Sequence, residues 1–172
     1  MTLITESYRA QNAQMHVAKP HYGNGGHYAA PQVERVAEQY GAQSILDYGC
    51  GKGRLTEALP HLPIVGYDPA IPGKDGWPSA ADLVVCRDVM EHIEPECLDA
   101  VLGHLCCLTR KALYIEVATV PAFKHLPDGR NAHLIVEPMS WWLARLAPVF
   151  GVVMTVEGEK DFVAILEPKV TQ

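Results

Sequence analysis

Residues 44–55 read SILDYGCGKGRL: an apolar run ending in an acid, Asp47, followed by glycines at 49, 51 and 53. Such a run bounded by glycine is a short buried strand, and the residues after it carry a helical pattern as far as Leu59, where Pro60 stops it. When strands and helices alternate, ligands bind beyond the carboxyl ends of the strands, and the first strand-to-helix turn approaches them most closely. Gly49 and Gly51 keep side chains out of that turn, so its free N–H groups can face a carboxylate or a phosphate. The dinucleotide pattern GxGxxG requires a third glycine at position 54, where this chain has Arg54. The spacing therefore argues against NAD.

The rest of the chain supplies the alternation. Residues 5–18 are polar with modest helix preference, and KPHYGNGGHY (19–28) is a loop enforced by Pro20 and three glycines. Val33, Val36, Ala37 and Tyr40 recur at helical spacing between Pro31 and Gly41. PIVGYD (63–68), ADLVVC (81–86) and ALYIEVA (112–118) read as strands, and Glu96 to Leu108 as an amphipathic helix. Met139 to Phe150 is expected as a helix, with Val152–Glu157 and Phe162–Leu166 as a terminal hairpin around Gly158. The expected fold is α/β: a Rossmann-like, doubly wound, mostly parallel sheet with an antiparallel C-terminal hairpin. Residues 1–172 form one expected domain, with 1–30 as an N-terminal helix and lid-like loop and 31–168 as the core.

Composition narrows the class. A chain of 172 residues, 48% hydrophobic and 20% charged, can bury a full core. Its formal charge of −6 offers no general attraction to nucleic acid or to anionic membranes. None of the five cysteines stands in a CxxC or Cys/His ligand spacing, which points to reduced thiols and a cytoplasmic location. The opening MTLITESYRAQ lacks the layout of a signal peptide, and no apolar run approaches the length of a membrane span.

A second acid identifies the ligand class. Asp68 ends PIVGYD, 21 residues beyond Asp47, where a carboxylate can accept both hydroxyls of a ribose. With ILDYGCGKG, VGYDP and ADLVVCRDVMEHI in this order and spacing, the chain resembles the class I methyltransferases that bind S-adenosylmethionine. The resemblance covers about residues 43–120. The element from Asp88 to Ile93 resembles small-molecule and sugar or quinone methyltransferases more than DNA methylases. The opening YRAQNAQMH with HYGNGGHYAAP is similar to small stand-alone methyltransferase-like proteins of phage and prophage genomes. The resemblance implies that Asp47, Tyr48, Gly49, Cys50 and Gly51 surround the methionine part of the cofactor. It implies that Asp68, with Pro69, holds the ribose, and that Cys86, Arg87 and Asp88 line the pocket near adenine and sulfur.

The pattern departs from the family in one place. Only twelve residues, PAIPGKDGWPSA, separate Asp68 from Ala81, and a helix of about 11 residues plus a strand of about 5 do not fit there. The third strand, its preceding helix and the usual adenine-recognising acid are expected to be missing. Trp77 either stacks on adenine in their place or covers the exposed sheet edge. That open edge is a further expectation, to be covered by a second subunit in a homodimer or by the N-terminal segment.

Methyl transfer from a sulfonium needs alignment more than covalent catalysis, though hydroxyl and amine acceptors can require a base. His133, in DGRNAHLIVEP, is the candidate base; its alternative role is to fix the loop. Arg130 and Asn131 are candidates for gripping a polar acceptor, Tyr22, His27 and Tyr28 for a lid, and Trp141 for the acceptor pocket or a partner surface. Glu91 and His92 read as an acidic helix start of structural role. The four-residue spacing of His133 and Glu137 suggests a metal pair, but Pro138 and the apolar LIV between them favour an extended segment, and no metal is expected. The expected activity is methylation of a small molecule or of an exposed group on a modified polymer. The alternatives are an idle cofactor-binding protein and a nucleic-acid or protein methyltransferase. The acidic balance and the lack of a [DNS]PP[YFW] tetrapeptide disfavour nucleic acid.

Overall fold

The computed structural model describes residues 2–169. Its centre is one six-stranded sheet in the order β2-β1-β3-β4-β6-β5. The strands are β1 (Ile45–Tyr48), β2 (Ile64–Tyr67), β3 (Ala81–Arg87), β4 (Thr109–Ala118), β5 (Phe150–Glu157) and β6 (Asp161–Pro168). The first four run parallel, and β6 and β5 complete the sheet antiparallel. This is the expected Rossmann-like arrangement.

Strand alternation sorts the core onto two faces. Leu46, Tyr48, Val84, Cys86, Leu113, Ile115 and Val117 pack with α4 (Leu98–Leu108) and α5 (Met139–Leu146). Ile45, Leu83, Val85, Ala112 and Tyr114 pack on the opposite face with α2 (Ala30–Gln39) and Leu55 of the short helix α3 (Arg54–Ala58). Both faces of the parallel core are therefore dry, as a parallel sheet requires.

Residues 68–80 contain neither helix nor strand, so the expected loss of one strand and its helix holds, and β2 is an edge strand. Trp77 lies in this bare connection. Its ring stacks on His104 of α4 with centroids 4.5 Å apart, while 70% of the residue stays exposed. The helix predicted to reach Phe150 ends at Leu146, because Pro148 cannot continue it; Phe150 instead opens β5 opposite Pro168 and is buried.

The N-terminal helix α1 (Glu6–Ala18) is tied down on residues 92–94. Thr5 caps it by accepting the Tyr8 N–H, and the Glu94 carboxylate accepts both the Thr5 N–H (2.8 Å) and its hydroxyl (2.7 Å). The Tyr8 hydroxyl donates to the His92 carbonyl at 2.7 Å, and Tyr8 packs with Leu126 and Ala132. These contacts lay α1 across the carboxyl ends of the strands.

Candidate functional site

The turn after β1 is built for close backbone approach. Gly49 has φ +76° and a Cβ on it would clash with the Val89 side chain; Gly51 has φ +50° and a Cβ there would lie 2.6 Å from the Gly23 carbonyl oxygen. Both positions exclude side chains by conformation and by space. The predicted lid loop thus rests directly on the glycine turn: the Gly23 carbonyl accepts the Lys52 N–H (3.0 Å), and Lys52 Nζ donates to the carbonyls of Lys19 and Pro20.

Asp68 closes the turn from the β2 side. One carboxylate oxygen accepts the Gly51 N–H and the other the Ala70 N–H, both at 3.0 Å. Lys74 Nζ donates to the Gly51 carbonyl at 2.9 Å. Asp47 sits beneath the turn, 6% exposed, and among the described residues no hydrogen bond or ion pair holds its carboxylate. Burial pushes it up to about 7, with Lys74 opposing, Asp68 reinforcing and Arg87 opposing. A buried carboxylate without a partner suits a cationic ligand group.

Two small cavities flank the turn. The larger, about 110 Å³, is walled by Gly49, Gly51, Asp68, Pro69 and Ala70 on one side and by Asp88, Val89, His92 and Ile93 on the other. Tyr8, Asn12, His16, Tyr22 and Gly23 roof it. The smaller, about 40 Å³, lies between Gly25, Gly26, Asp47, Cys50 and Arg87.

His16 and Asn12 carried no signal in the sequence, because a polar stretch shows its role only once α1 folds back over the sheet. Asn12 accepts the Tyr22 hydroxyl at 2.6 Å and donates to the Tyr8 carbonyl. His16 Nε2 lies 3.9 Å from Asp68 Oδ2, and its buried Nδ1 has no partner; burial lowers its pKa although Asp68 opposes this. Asp88, at the far wall, holds φ +56°, an uncommon conformation for a residue with a side chain.

Several candidates fall elsewhere. Cys86 is fully buried on the α4 face, since strand alternation turns it away from the cavities; only Arg87 and Asp88 reach them. Trp77 lines a groove beside β1 and β2 rather than a cofactor wall, being held by His104. His27 and Tyr28 stack on each other at 4.0 Å; Tyr28 is exposed, and His27 faces Arg54 and Glu57 outside the site. Arg130 pairs with Asp128 at 2.7 Å. Asn131 is consumed by its own loop: its Oδ1 accepts the Ala122 and His133 N–H groups and its Nδ2 donates to the Ala122 carbonyl. Trp141 packs under Arg145 at 4.7 Å in a groove beside α5. His133 stands behind the wall, its ring edge-on to His92 at 4.9 Å, so His92 is the imidazole that meets the cavity. Burial lowers the His92 pKa, with Asp88 opposing.

Known proteins match this architecture. The fold is similar to that of the N-methyltransferase NodS from Bradyrhizobium japonicum WM9, solved with S-adenosylhomocysteine, at 14% identity and TM-score 0.65, covering 94% of this chain and 98% of that one. It is also similar to the 1,6-didemethyltoxoflavin-N1-methyltransferase of Burkholderia thailandensis, solved with 1,6-didemethyltoxoflavin and S-adenosylhomocysteine, at 16% identity and TM-score 0.69, covering 98% and 92%. Magnesium protoporphyrin IX methyltransferase from Synechocystis PCC 6803 is a third, at 16% identity and TM-score 0.61, covering 84% of each chain. No curated protein sequence matches. Residues 23–148 match the family model described as a methyltransferase domain, and with the glycine turn, Asp68 and Asp88 inside that span, the chain belongs to the methyltransferase domain family.

Proposed function

We propose that this methyltransferase takes its methyl group from S-adenosylmethionine and delivers it to a small molecule, or to an exposed group on a modified polymer, releasing S-adenosylhomocysteine. The acceptor lone pair forms a bond to the methyl carbon as the carbon–sulfur bond breaks, and the sulfonium leaves as a neutral thioether. The observation that carries this reading is the pairing of two walls. The glycine turn and Asp68 face Asp88 and His92 across one cavity. Asp47 and the backbone of Tyr48 to Gly51 receive the methionine end, Asp68 and Pro69 the ribose, and the acceptor meets the Asp88 and His92 wall.

Several features support the finer points. The neighbours solved with S-adenosylhomocysteine share the fold, and one carries a small heterocycle as acceptor. The net charge of −6 speaks against nucleic acid. The five cysteines are free, in keeping with a cytoplasmic enzyme. The N-terminal pattern fits a protein of the phage or prophage type, one domain with residues 1–30 as an N-terminal helix and lid-like loop. The bare β2 edge, where Val65 is 67% exposed, favours a homodimer.

Cofactor binding and methyl transfer are to be measured separately: calorimetry with S-adenosylmethionine, then methyl-labelled cofactor with fractionated host lysate. The expected result is binding with label in small molecules or in a modified polymer. Binding without label in any fraction favours the idle protein, and no binding refutes the reading.

A further inference from the structure

Two side chains of the acceptor wall, Asp88 and His92, are backed by two more, Glu91 and His133, that the methyl-transfer reading does not use. Asp88, Glu91, His92 and His133 each offer one ligand atom, and these four atoms lie within 4.8 Å of one another. In a first-row metal site with bonds of about 2.1 Å, adjacent ligand atoms are about 3 Å apart and opposite ones about 4.2 Å; His92 Nε2 and Asp88 Oδ1 stand 4.0 Å apart, so the set draws in by about 1 Å to hold an ion.

The surroundings orient these groups as ligands. His92 Nδ1 meets the Ala132 carbonyl at 2.7 Å and His133 Nδ1 meets the Val120 carbonyl at 2.6 Å. A ring nitrogen facing a carbonyl is the protonated one, which leaves each Nε2 with a free lone pair; metal-binding histidines are fixed in this way. Asn131 accepts the His133 N–H and is itself fastened to Ala122, so the loop holds the ring in place.

Glu91 is the second, independent observation. It has no exposed surface, and its Oε1 accepts the Ala118 N–H at 2.8 Å while its carbonyl accepts the Leu134 and Ile135 N–H groups. Its other carboxylate oxygen, Oε2, is buried, with no donor to satisfy it and the Asp88 carboxyl beside it. A buried carboxylate oxygen left bare beside a second carboxylate and two imidazole lone pairs is a costly arrangement unless a cation or a proton joins them.

We propose that Asp88, Glu91, His92 and His133 bind one divalent first-row transition cation at the edge of the larger cavity. Two imidazoles with two carboxylates favour manganese, iron, cobalt or zinc over magnesium or calcium, which take oxygen ligands almost alone. Asp88 and His92 also line the cavity, so the ion presents its remaining positions to the acceptor. Its role, though not its existence, rests on the methyl-transfer reading: it binds a hydroxyl-bearing acceptor and lowers the hydroxyl pKa. The hydroxyl proton passes to solvent, the oxygen–methyl bond forms, and the sulfur–methyl bond breaks with its electron pair left on sulfur. The substrate class is thereby narrowed to oxygen acceptors.

The test is a titration of untagged, chelator-stripped full-length protein with Mn²⁺, followed by electron paramagnetic resonance of the free ion and repeated with Co²⁺ by visible absorption. One ion per chain is expected, weakened at least about tenfold by Glu91→Gln and by His133→Asn, and unchanged by Glu137→Gln, which lies outside the cluster. Mg²⁺ at equal concentration should displace little of it. Glu91→Gln preserves shape and can donate to Asp88, so it keeps the fold if a shared proton is all that joins the two acids; circular dichroism and melting of the metal-free variants monitor this. No stoichiometric binding of Mn²⁺, Co²⁺ or Zn²⁺ up to about 1 mM, or undiminished binding by a folded Glu91→Gln, overturns the proposal. Calorimetry with S-adenosylmethionine on the same samples separates the two readings. Metal binding without cofactor binding leaves the cation site and removes the methyl-donor assignment, and the converse removes only the cation site.

Discussion

The buried carboxylate of Asp47 makes the free protein and its cofactor complex respond to pH in opposite directions. Burial lifts Asp47 from 3.8 to about 7. Because the folded pKa lies above the unfolded one, its contribution to stability is complete below about pH 4 and is lost as pH rises through 7. At about 1.4 kcal/mol per pK unit the loss reaches about 4 kcal/mol, with no further change at higher pH. On the proposed assignment the ammonium of the cofactor's methionine end, with an ordinary pKa of about 7.7–8.0, pairs with the ionised form. Binding below pH 7 must therefore expel the Asp47 proton, and affinity should fall about tenfold per pH unit on going down from 7. Calorimetry at about pH 6 in two buffers of different ionisation enthalpy should register the release of nearly one proton. Asp47→Asn keeps the shape without the charge: it should match the wild type in stability near pH 4, exceed it at pH 8 in urea unfolding, and bind cofactor poorly at both. A wild-type affinity that is flat between about pH 5.5 and 8, or an Asn variant no more stable at pH 8, refutes this account of Asp47.

Two further substitutions probe the roof and the bare connection. Gly51→Ala places a methyl group 2.6 Å from the Gly23 carbonyl at φ +50°, so it should displace the 19–26 loop and weaken cofactor binding at least tenfold, about 1.4 kcal/mol; calorimetry showing wild-type affinity would refute the steric argument. Trp77→Ala should leave cofactor affinity unchanged and cost about 1 kcal/mol or less of stability, because the indole is mostly exposed and only stacks on His104. A loss of affinity in that variant would return Trp77 to the adenine wall.

The strands and the turn were legible because each rests on a local pattern: apolar runs, glycines at fixed spacing, and acids at strand ends. The missing strand was legible by length alone, since twelve residues cannot hold a helix and a strand. What the sequence hid is what only tertiary contact creates. His16 reaches Asp68 because Thr5 and Tyr8 are tied to residues 92–94, and no periodicity announces that. His133 meets His92 across 40 residues of chain because Glu91 and Ala132 tie the two segments together, and no local spacing announces that contact. Asn131 and Arg130 looked available because polar loop residues do; their partners, Ala122 and Asp128, lie within the same loop.

The shortened edge has a thermodynamic consequence. β2 has four residues and, among the described residues, pairs only with β1, while residues 68–80 supply no helix after it. Its carboxyl end is fastened by Asp68 to Gly51, the residue on which the roof rests. A ligand that settles between Asp68 and the roof thus stitches three weakly anchored pieces together, and its binding energy doubles as local folding energy. On the proposed assignment, cofactor binding ties the edge left by the missing strand to the roof through Asp68, so amides of β2 should exchange more slowly in the complex than in the free protein.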